Sequence, residues 1–275
     1  IRDLRRSRGL GDVYKRQILV GICNFTPDSF SDGGKTFSRS TALKHINAMV
    51  KDGAQIIDIG AESTRPNSEP ITYIEEINRL SKILPYLNYK KYLVSVDSYK
   101  IESQEYALKK GAHIINDING GSDELFKLIK KYNAGLILMH KRGTPKEMQK
   151  NLNSRVNMVR EFDYFIKKRL KILNKMKINL KKVWFDPGIG FGKTLNQNLQ
   201  LMKSLKKFSS ANIQVLLGSS RKSWINYIDP SNADERIGGS LASVAHALEQ
   251  NVHTYRIHDV KETNQMIKVL KALNK

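Results

Sequence analysis

The sequence predicts a single (β/α)8 barrel, the TIM-barrel class of α/β fold, from three observations. From Ile18 to the end of the 275-residue chain, short apolar runs rich in β-branched residues alternate with longer amphipathic stretches. Eight such pairs in about 250 residues is the number and length typical of this barrel. A polar residue follows every apolar run, as expected where barrel strands end at an active site. Periodicity alone leaves a doubly wound open sheet as the alternative.

The apolar runs predict strands that are buried on both faces. Continuous apolar strands are typical of parallel sheets, because both faces of such a sheet are covered. In chain order the predicted strands are Ile18–Ile22, Gln55–Ile59, Tyr92–Val96, Ala112–Ile115, Gly135–Met139, Val183–Phe185, Ile213–Leu217 and His253–Ile257.

The stretches between the runs predict amphipathic helices. Their apolar residues recur three or four positions apart, as at Leu125, Leu128 and Ile129, which places them on one helix face. No Pro/Gly/Ser-rich linker divides residues 18–275, so we expect one domain. The predicted helices are Thr41–Lys51, Tyr73–Leu84, Ile101–Lys109, Glu124–Tyr132, Arg155–Met176, Asn196–Lys207, Gly239–Gln250 and Lys261–Leu273.

Composition indicates a cytoplasmic protein. The single cysteine, Cys23, excludes an internal disulfide and fits a reducing compartment. No apolar run approaches the roughly 20 residues that a membrane helix needs, and the start lacks the apolar segment of a signal peptide. Residues 1–17 have no apolar periodicity, so we expect a non-native or disordered extension outside the domain.

The formal net charge of +21 favours anionic partners. A nucleic-acid-binding protein is therefore the alternative from a different functional class. The lysines are spread along helical stretches rather than gathered in one stripe, and no aromatic-interleaved basic motif occurs, so the charge predicts solvated helix faces instead. We expect no specific nucleic acid and no membrane partner.

The polar residues after the strands predict one cluster, because all eight strand ends meet at the same face of a barrel. A single such residue is equally explained as a helix cap, and Asp97 or Asn116 could serve that way. The residues concerned are Asn24, Glu62, Ser63, Thr64, Arg65, Asp97, Ser98, Asn116, Asp117, His140, Asp186, Ser219, Ser220, Arg221, Lys222, Arg256 and His258.

Two other motifs do not support a function. The glycine-rich segment Asp186–Thr194 lacks the first glycine of a P-loop, because Pro187 stands at that position. Its glycines instead predict a tight loop beside a flat ligand. Cys23 has no obvious base beside it and is interpreted as a small buried apolar residue.

The strings at the strand ends resemble the dihydropteroate synthase family, in order and over residues 18 to 275. The first strings are Gly21–Gly34 (GICNFTPDSFSDGG) and Glu62–Pro66 (ESTRP). The others are Ser95–Asp97, Ile115–Ile118, Leu138–His140, Asp186–Gly188, Gly218–Ser223 and Arg256–Val260. The resemblance implies a transferase of folate synthesis that joins 6-hydroxymethyl-7,8-dihydropterin diphosphate to 4-aminobenzoate, releases diphosphate and is inhibited by sulfonamides.

The resemblance also implies a role for each matching residue. Carboxylates and an amide suit the pterin because its aminopyrimidine edge presents adjacent N–H donors. The implied pterin-binding residues are Asp97, Asn116, Met139, Asp186 and Lys222, of which Asp97 and Lys222 are also catalytic together with Arg256. The implied diphosphate-binding residues are Asn24, Arg65, Arg256 and His258, and the implied aminobenzoate-binding residues are Thr64, Pro66, Phe191, Ser220 and Arg221.

Three further implications concern the cofactor, the assembly and a related activity. Asn24 is the implied ligand of Mg²⁺, which prefers oxygen and often binds through substrate phosphates. The family implies a homodimer and loops at Phe25–Gly34 and Ser63–Pro70 that close over the site. A pterin-binding methyltransferase on the same barrel is the alternative, but Ser220–Lys222 and Arg256-x-His258 favour a diphosphate substrate. The alternative to a functional role for Arg256 is an ion pair with Asp259 on the surface.

Overall fold

Eight parallel strands close into a barrel in which each strand pairs with its neighbours in chain order. The computed structural model describes residues 17–26, 38–62, 69–143, 152–209 and 213–273. The predicted (β/α)8 barrel is confirmed, and the open-sheet alternative is wrong because β8 pairs with β1. The strands are β1 Ile18–Asn24, β2 Ile56–Gly60, β3 Leu93–Asp97, β4 Ile114–Asp117, β5 Gly135–Met139, β6 Val183–Asp186, β7 Gln214–Leu217 and β8 Thr254–Ile257.

Helices cover the outside of the barrel. Those within the described residues are α1 Arg39–Lys51, α2 Tyr73–Ser81, α3 Ile101–Lys109, α4 Asp123–Tyr132, α5 Met158–Lys175, α6 Leu195–Lys203, α7 Leu205–Ser209, α8 Ser223–Asn226, α9 Ile237–Glu249 and α10 Val260–Leu273. Their buried faces pack on the outward side chains of the strands in one continuous core. No helix of the described residues is long and apolar enough to cross a membrane.

Local polar chemistry explains where several helices depart from the predicted bounds. Helix α5 begins at Met158 rather than Arg155, because the Asn157 side chain accepts a hydrogen bond from the Arg160 backbone and caps the helix. Helix α2 ends at Ser81, and a short 3-10 turn with Pro85 at its start follows it. The stretch predicted as one helix after β6 is two, α6 and α7, and α8 was not predicted.

The barrel interior is apolar at one end and polar at the other. A separate apolar cluster fills the first layer and consists of Val20, Ile56, Ile114, Ile137, Trp184 and Leu216. Side chains alternate across a strand, so residues two positions further along face the same interior. At those positions lie Ile22, Asp58, Asn116, Met139, Asp186 and Gly218. The polar layer therefore lies directly above an apolar floor, at the carboxyl ends of the strands.

The predicted domain division is only partly open to description. Of the predicted extension at residues 1–17, only Gln17 is among the described residues, and that division stays a prediction. The described strands of residues 18–273 form a single barrel, and the described helices surround it. The two predicted closing loops, Phe25–Gly34 and Ser63–Pro70, also lie largely outside the described residues.

Candidate active site

Arg256 lies between two carboxylates inside the barrel. Its Nε donates to Asp58 Oδ2 at 2.6 Å, and its Nη2 donates to Asp97 Oδ2 at 2.8 Å. The pKa of Arg256 is raised by the attraction of Asp58 and Asp97, which outweighs the opposing effect of burial. Arg256 therefore stays charged, and the surface pair with Asp259 is wrong. Asp259 instead pairs with Arg221.

Asn116 joins the same network from β4. Its Nδ2 donates to Asp58 Oδ2 at 3.0 Å, so one carboxylate oxygen receives both Asn116 and Arg256. Asp58 and Asn116 are buried, with 0% and 4% of their surfaces exposed. Neither Asn116 nor Asp97 donates to or accepts from a helix end in the described residues, so the helix-cap interpretation of both is wrong.

One oxygen of Asp97 is buried without a partner in the described part of the chain. Among the described residues, Oδ1 of Asp97 and Oδ1 of Asp58 have no hydrogen-bond donor. Buried carboxylate oxygens are almost always paired, so such an atom marks a place where a ligand or water donates. Burial raises the pKa of Asp97 to about 7, although Arg256 acts in the opposite direction.

Asp186 and Lys222 form the opposite wall of the polar layer. Asp186 Oδ1 accepts from the Gly188 backbone at 2.7 Å, and Lys222 Nζ donates to the Ile189 carbonyl at 2.7 Å. Burial lowers the pKa of Lys222 to about 8 against the attraction of Asp186. Burial raises the pKa of Asp186, while Lys222 opposes that change.

Gly218, just past β7, keeps the space between these groups open. A Cβ at Gly218 would lie 3.2 Å from Asp186 Oδ2 and 3.8 Å from Lys222 Nζ. A Cβ at Gly60 would lie 3.5 Å from Asn24 Oδ1 and 3.7 Å from Asp97 Cβ. At both positions a side chain would enter the layer in which the polar groups converge.

The glycine-rich loop after β6 is held by a buried lysine. Lys193 Nζ donates to the carbonyls of His140, Gly188 and Phe191 at 2.9 to 3.0 Å. Gly188 has a φ of +62°, and a Cβ there would lie 2.0 Å from the His140 carbonyl oxygen, so only glycine fits. The positive φ of Gly188, Gly190 and Gly192 confirms the expected tight loop, while the flat ligand beside it stays a prediction. The loop brings the Phe191 ring within 4.5 Å of Lys222 Nζ.

The segment after β7 lies beside the end of β8. Ser220 Oγ is 3.1 Å from His258 Nδ1 and accepts from the His258 backbone at 3.3 Å. Arg221 has a φ of +58°, an uncommon conformation for a residue with a side chain. Its guanidinium makes two hydrogen bonds to Asp259, one of them from Nε at 3.0 Å.

Comparison with known proteins identifies the family. A family model described as pterin binding enzyme matches residues 20–258. A dihydropteroate synthase from Synechocystis is 37% identical over 268 residues, which cover 96% of this chain and 92% of that relative. The chain belongs to the dihydropteroate synthases of the pterin-binding enzyme family.

Solved dihydropteroate synthase structures agree with this assignment. One from Yersinia pestis, in a sulfonamide drug complex, has a TM-score of 0.86 and 33% identity, with 95% of both chains covered. One from Xanthomonas albilineans, with 4-aminobenzoic acid, has a TM-score of 0.87 and 30% identity, covering 95% of this chain and 94% of that one. The methyltransferase alternative finds no support in these relatives.

Most of the family residues expected from the sequence lie in the described part of this dihydropteroate synthase. Thr64, Arg65 and Pro66 lie outside the described residues. Met139 is buried at the carboxyl end of β5, and Asn24 ends β1. The expected residues that lie in or beside the polar layer are Asn24, Asp97, Asn116, Met139, Asp186, Phe191, Lys222 and Arg256. Ser220 and His258 contact each other just after β7 and β8, and Arg221 pairs with Asp259.

Not every polar strand end belongs to this site. His140 packs edge-on against the rings of Phe162 and Phe165, and burial lowers its pKa to about 3. Asp117 instead accepts from two backbone N–H groups of the following turn. Burial raises the pKa of Cys23 to about 12, which fits its interpretation as a buried apolar residue.

Two site residues were missed by the sequence reasoning. Asp58 lies inside an apolar run rather than after it, and Lys193 lies in the glycine-rich segment Asp186–Thr194, which predicted only a tight loop. Asp58 could have been found, because it is a charged residue two positions after Ile56 on the same strand face. No sequence pattern indicates that Lys193 turns back to bind the carbonyl of Phe191.

The described residues contain no group of three histidine, cysteine, aspartate or glutamate side chains that could hold a metal ion. The side-chain amide oxygen of Asn24 can serve as a metal-ligand donor at the end of β1, near Asp97. One such donor fits Mg²⁺ only if substrate phosphates and water complete its coordination.

Proposed function

We propose that this dihydropteroate synthase family member condenses 6-hydroxymethyl-7,8-dihydropterin diphosphate with 4-aminobenzoate to give 7,8-dihydropteroate and diphosphate. The observation that carries this proposal is the polar layer, in which Asp97 Oδ1 lacks a partner among the described residues and lies beside a charged Arg256. The site offers acceptors for the N–H groups of a pterin and a cation for its phosphates.

The pterin ring lies in the polar layer in this proposal. Asp97, Asn116 and Asp186 accept from the ring N–H groups, and Lys222 donates to the ring carbonyl oxygen. Met139 contacts the ring from the end of β5. Asn116 and Asp186 are buried, and Asp97 and Lys222 are half-buried, so a ring that leaves these groups unpaired binds far more weakly. The low exposure of Asn116 and Asp186, 4% for each, supports this arrangement.

The diphosphate contacts Arg256 and His258 at the mouth of the barrel, together with Arg65. Two of the three Arg256 guanidinium nitrogens donate to carboxylates, and Nη1, which donates to none of the described residues, is assigned to a phosphate oxygen in this proposal. Asn24 holds Mg²⁺ in this proposal, and the ion would neutralise charge on the leaving diphosphate when bound.

The reaction needs no nucleophile from the protein. The bond between the pterin methylene carbon and the diphosphate oxygen breaks, and the diphosphate leaves with the electron pair. The amine nitrogen of 4-aminobenzoate then bonds to that carbon and loses a proton to water. Arg256 stabilises the leaving group, while the negative charge of Asp97 stabilises the delocalised pterin cation.

Aminobenzoate binds on the side of the site formed by Phe191, Ser220 and Arg221, with Thr64 and Pro66 from the second loop. Phe191 lies beside Lys222 and therefore next to the pterin position. Arg221 makes two hydrogen bonds to Asp259. The donors proposed for the aminobenzoate carboxylate are therefore Ser220 Oγ and the remaining guanidinium nitrogen of Arg221.

A homodimer and a cytoplasmic location remain predictions from the sequence and its family resemblance. The experiment for the proposed activity is detection of 7,8-dihydropteroate by mass spectrometry after incubation with both substrates and Mg²⁺. Product that needs both substrates supports the synthase. Absence of product, with methyl transfer from a methylated folate instead, would establish the methyltransferase.

A further inference from the structure

Asp58 is the only member of the polar layer in the described residues that contacts two of the proposed substrate-binding side chains through a single oxygen. Its Oδ2 accepts from Arg256 Nε at 2.6 Å and from Asn116 Nδ2 at 3.0 Å. The side chain of Asp58 has no exposed surface. It lies two positions before Gly60, the last residue of β2, and therefore deeper in the barrel than the carboxyl end of that strand.

We infer that Asp58 is a positioning residue for the reaction, which fixes the orientation of both Asn116 and Arg256. The inference rests on the proposed function, because it assigns Asn116 to the pterin and Arg256 to the diphosphate. A single buried carboxylate thereby couples the two ends of one substrate.

The effect on Asn116 follows from its amide geometry. An amide has one donor end and one acceptor end, whereas a carboxylate offers only acceptor oxygens. Since Asn116 Nδ2 donates to Asp58 Oδ2, the Asn116 carbonyl oxygen points away from Asp58. Asp58 therefore presents the acceptor end of Asn116 to the ring N–H groups, and an asparagine at position 58 removes that preference.

The effect on Arg256 concerns its two ends. Asp58 holds Nε and Asp97 holds Nη2, so the guanidinium plane is fixed at two points from β2 and β3. Two charge-assisted hydrogen bonds restrict the orientation of a guanidinium group more than one such bond does. Without Asp58, Arg256 keeps the hydrogen bond to Asp97 as its one carboxylate partner in the described residues, and its guanidinium can turn about that bond.

The test replaces Asp58 by asparagine, which keeps its size and removes its charge. Calorimetry would measure the Kd of two probes, 6-hydroxymethylpterin and 6-hydroxymethyl-7,8-dihydropterin diphosphate. Steady-state kinetics would give kcat and the KM values of both substrates. We expect about tenfold weaker binding of the phosphate-free pterin and a larger loss for the diphosphate, as for loss of hydrogen bonds to a charged group. The KM for aminobenzoate should change less than twofold.

Asp163→Asn is the matched control, because Asp163 pairs with Lys167 on the surface of α5 and its loss should leave all constants unchanged. Double variants separate positioning from simple loss of structure. In an Asn116→Ala background, Asp58→Asn should no longer weaken the phosphate-free pterin. In an Arg256→Gln background, Asp58→Asn should weaken binding of the diphosphate and of the phosphate-free pterin by the same factor.

Two results would overturn the inference. One is Asp58→Asn with wild-type Kd values and kcat. The other is full additivity in both double variants with all substrates affected equally, which is the behaviour of general destabilisation. If the wild type binds the pterin but forms no dihydropteroate, the proposed function fails, while the binding measurements still test Asp58.

Discussion

Arg256 Nη2 and Asp97 Oδ2 are joined by a hydrogen bond of 2.8 Å between β8 and β3, two strands that are not neighbours in the barrel. The bond uses one oxygen of Asp97, and the other has no partner in the described residues. The same carboxylate thus fixes the cation at the diphosphate end and keeps one oxygen for the pterin.

Asp97→Asn should lower kcat by about 100-fold, because the neutral amide removes the charge that stabilises the pterin cation. Affinity for pterin diphosphate should fall about tenfold, since the amide presents a donor where the ring also has donors. Initial-rate kinetics and calorimetry measure the two effects. A variant that retains the wild-type kcat would show that Asp97 does not stabilise the transition state.

Binding of the phosphate-free pterin should depend on pH in a bell shape. The pKa of Asp97 is raised to about 7 by burial, so ionised Asp97 and tighter binding appear as the pH rises through about 7. The pKa of Lys222 is lowered to about 8 by burial, so the ring carbonyl loses its charged donor above about 8. Calorimetry from about pH 5.5 to about pH 9.5 would follow both limbs, since this range extends about 1.5 units beyond each pKa.

Variants assign each limb of that profile. Asp97→Asn should lose the acid limb and keep the alkaline one, while Lys222→Arg should do the reverse because arginine stays charged. Using the phosphate-free pterin keeps the titration of the substrate phosphates out of the measurement. A profile that is unchanged in both variants would contradict the assignment of these residues to the ring.

The strands were predictable from sequence to within two residues at either end, because parallel strands covered on both faces are continuous apolar runs. The site residues at strand ends followed from the same pattern and from the family strings. Asp58 was missed because it interrupts an apolar run that reads as core. The partners of Arg221 and Arg256 could not be assigned from sequence, since Asp259 is close to Arg256 in the chain yet pairs with Arg221 in space.

Lys193→Met should destabilise the protein by about 3 kcal/mol, because two buried carbonyl oxygens and one part-buried carbonyl oxygen lose their donor. The carbonyl of Phe191 is among them, so the KM for aminobenzoate should rise more than that for pterin diphosphate. Urea unfolding and initial rates measure these effects, with Lys203→Met on an exposed face of α6 as the control. Equal changes in the two KM values would show that Lys193 does not position Phe191.

The same variant should change how stability depends on pH. Burial lowers the pKa of Lys193 from its ordinary value of 10.5 to about 7. Between these values the unfolded chain binds a proton that the folded chain does not, so Lys193 makes the free energy of unfolding rise with pH. The free energy of unfolding of Lys193→Met should rise less steeply with pH than that of the wild type between about pH 7 and about pH 10. The difference in slope corresponds to on the order of one bound proton.

Sulfonamides should compete with aminobenzoate. The Yersinia pestis relative is described in complex with a sulfonamide drug, and the Phe191, Ser220 and Arg221 side of this site is where we place aminobenzoate. The apparent KM for aminobenzoate should rise with sulfonamide concentration while kcat stays constant, as measured by initial rates. Inhibition that lowers kcat and leaves this KM unchanged would place the drug elsewhere.

The measurement that tests the synthase assignment most directly is diphosphate release by purified wild type and Asp186→Ala, with Mg²⁺, pterin diphosphate and 4-aminobenzoate. Asp186 anchors the ring but does not contact aminobenzoate in this account. Release that needs both substrates in the wild type and is lost in Asp186→Ala is the predicted result. No release by the wild type, although it binds the pterin diphosphate, would contradict the account.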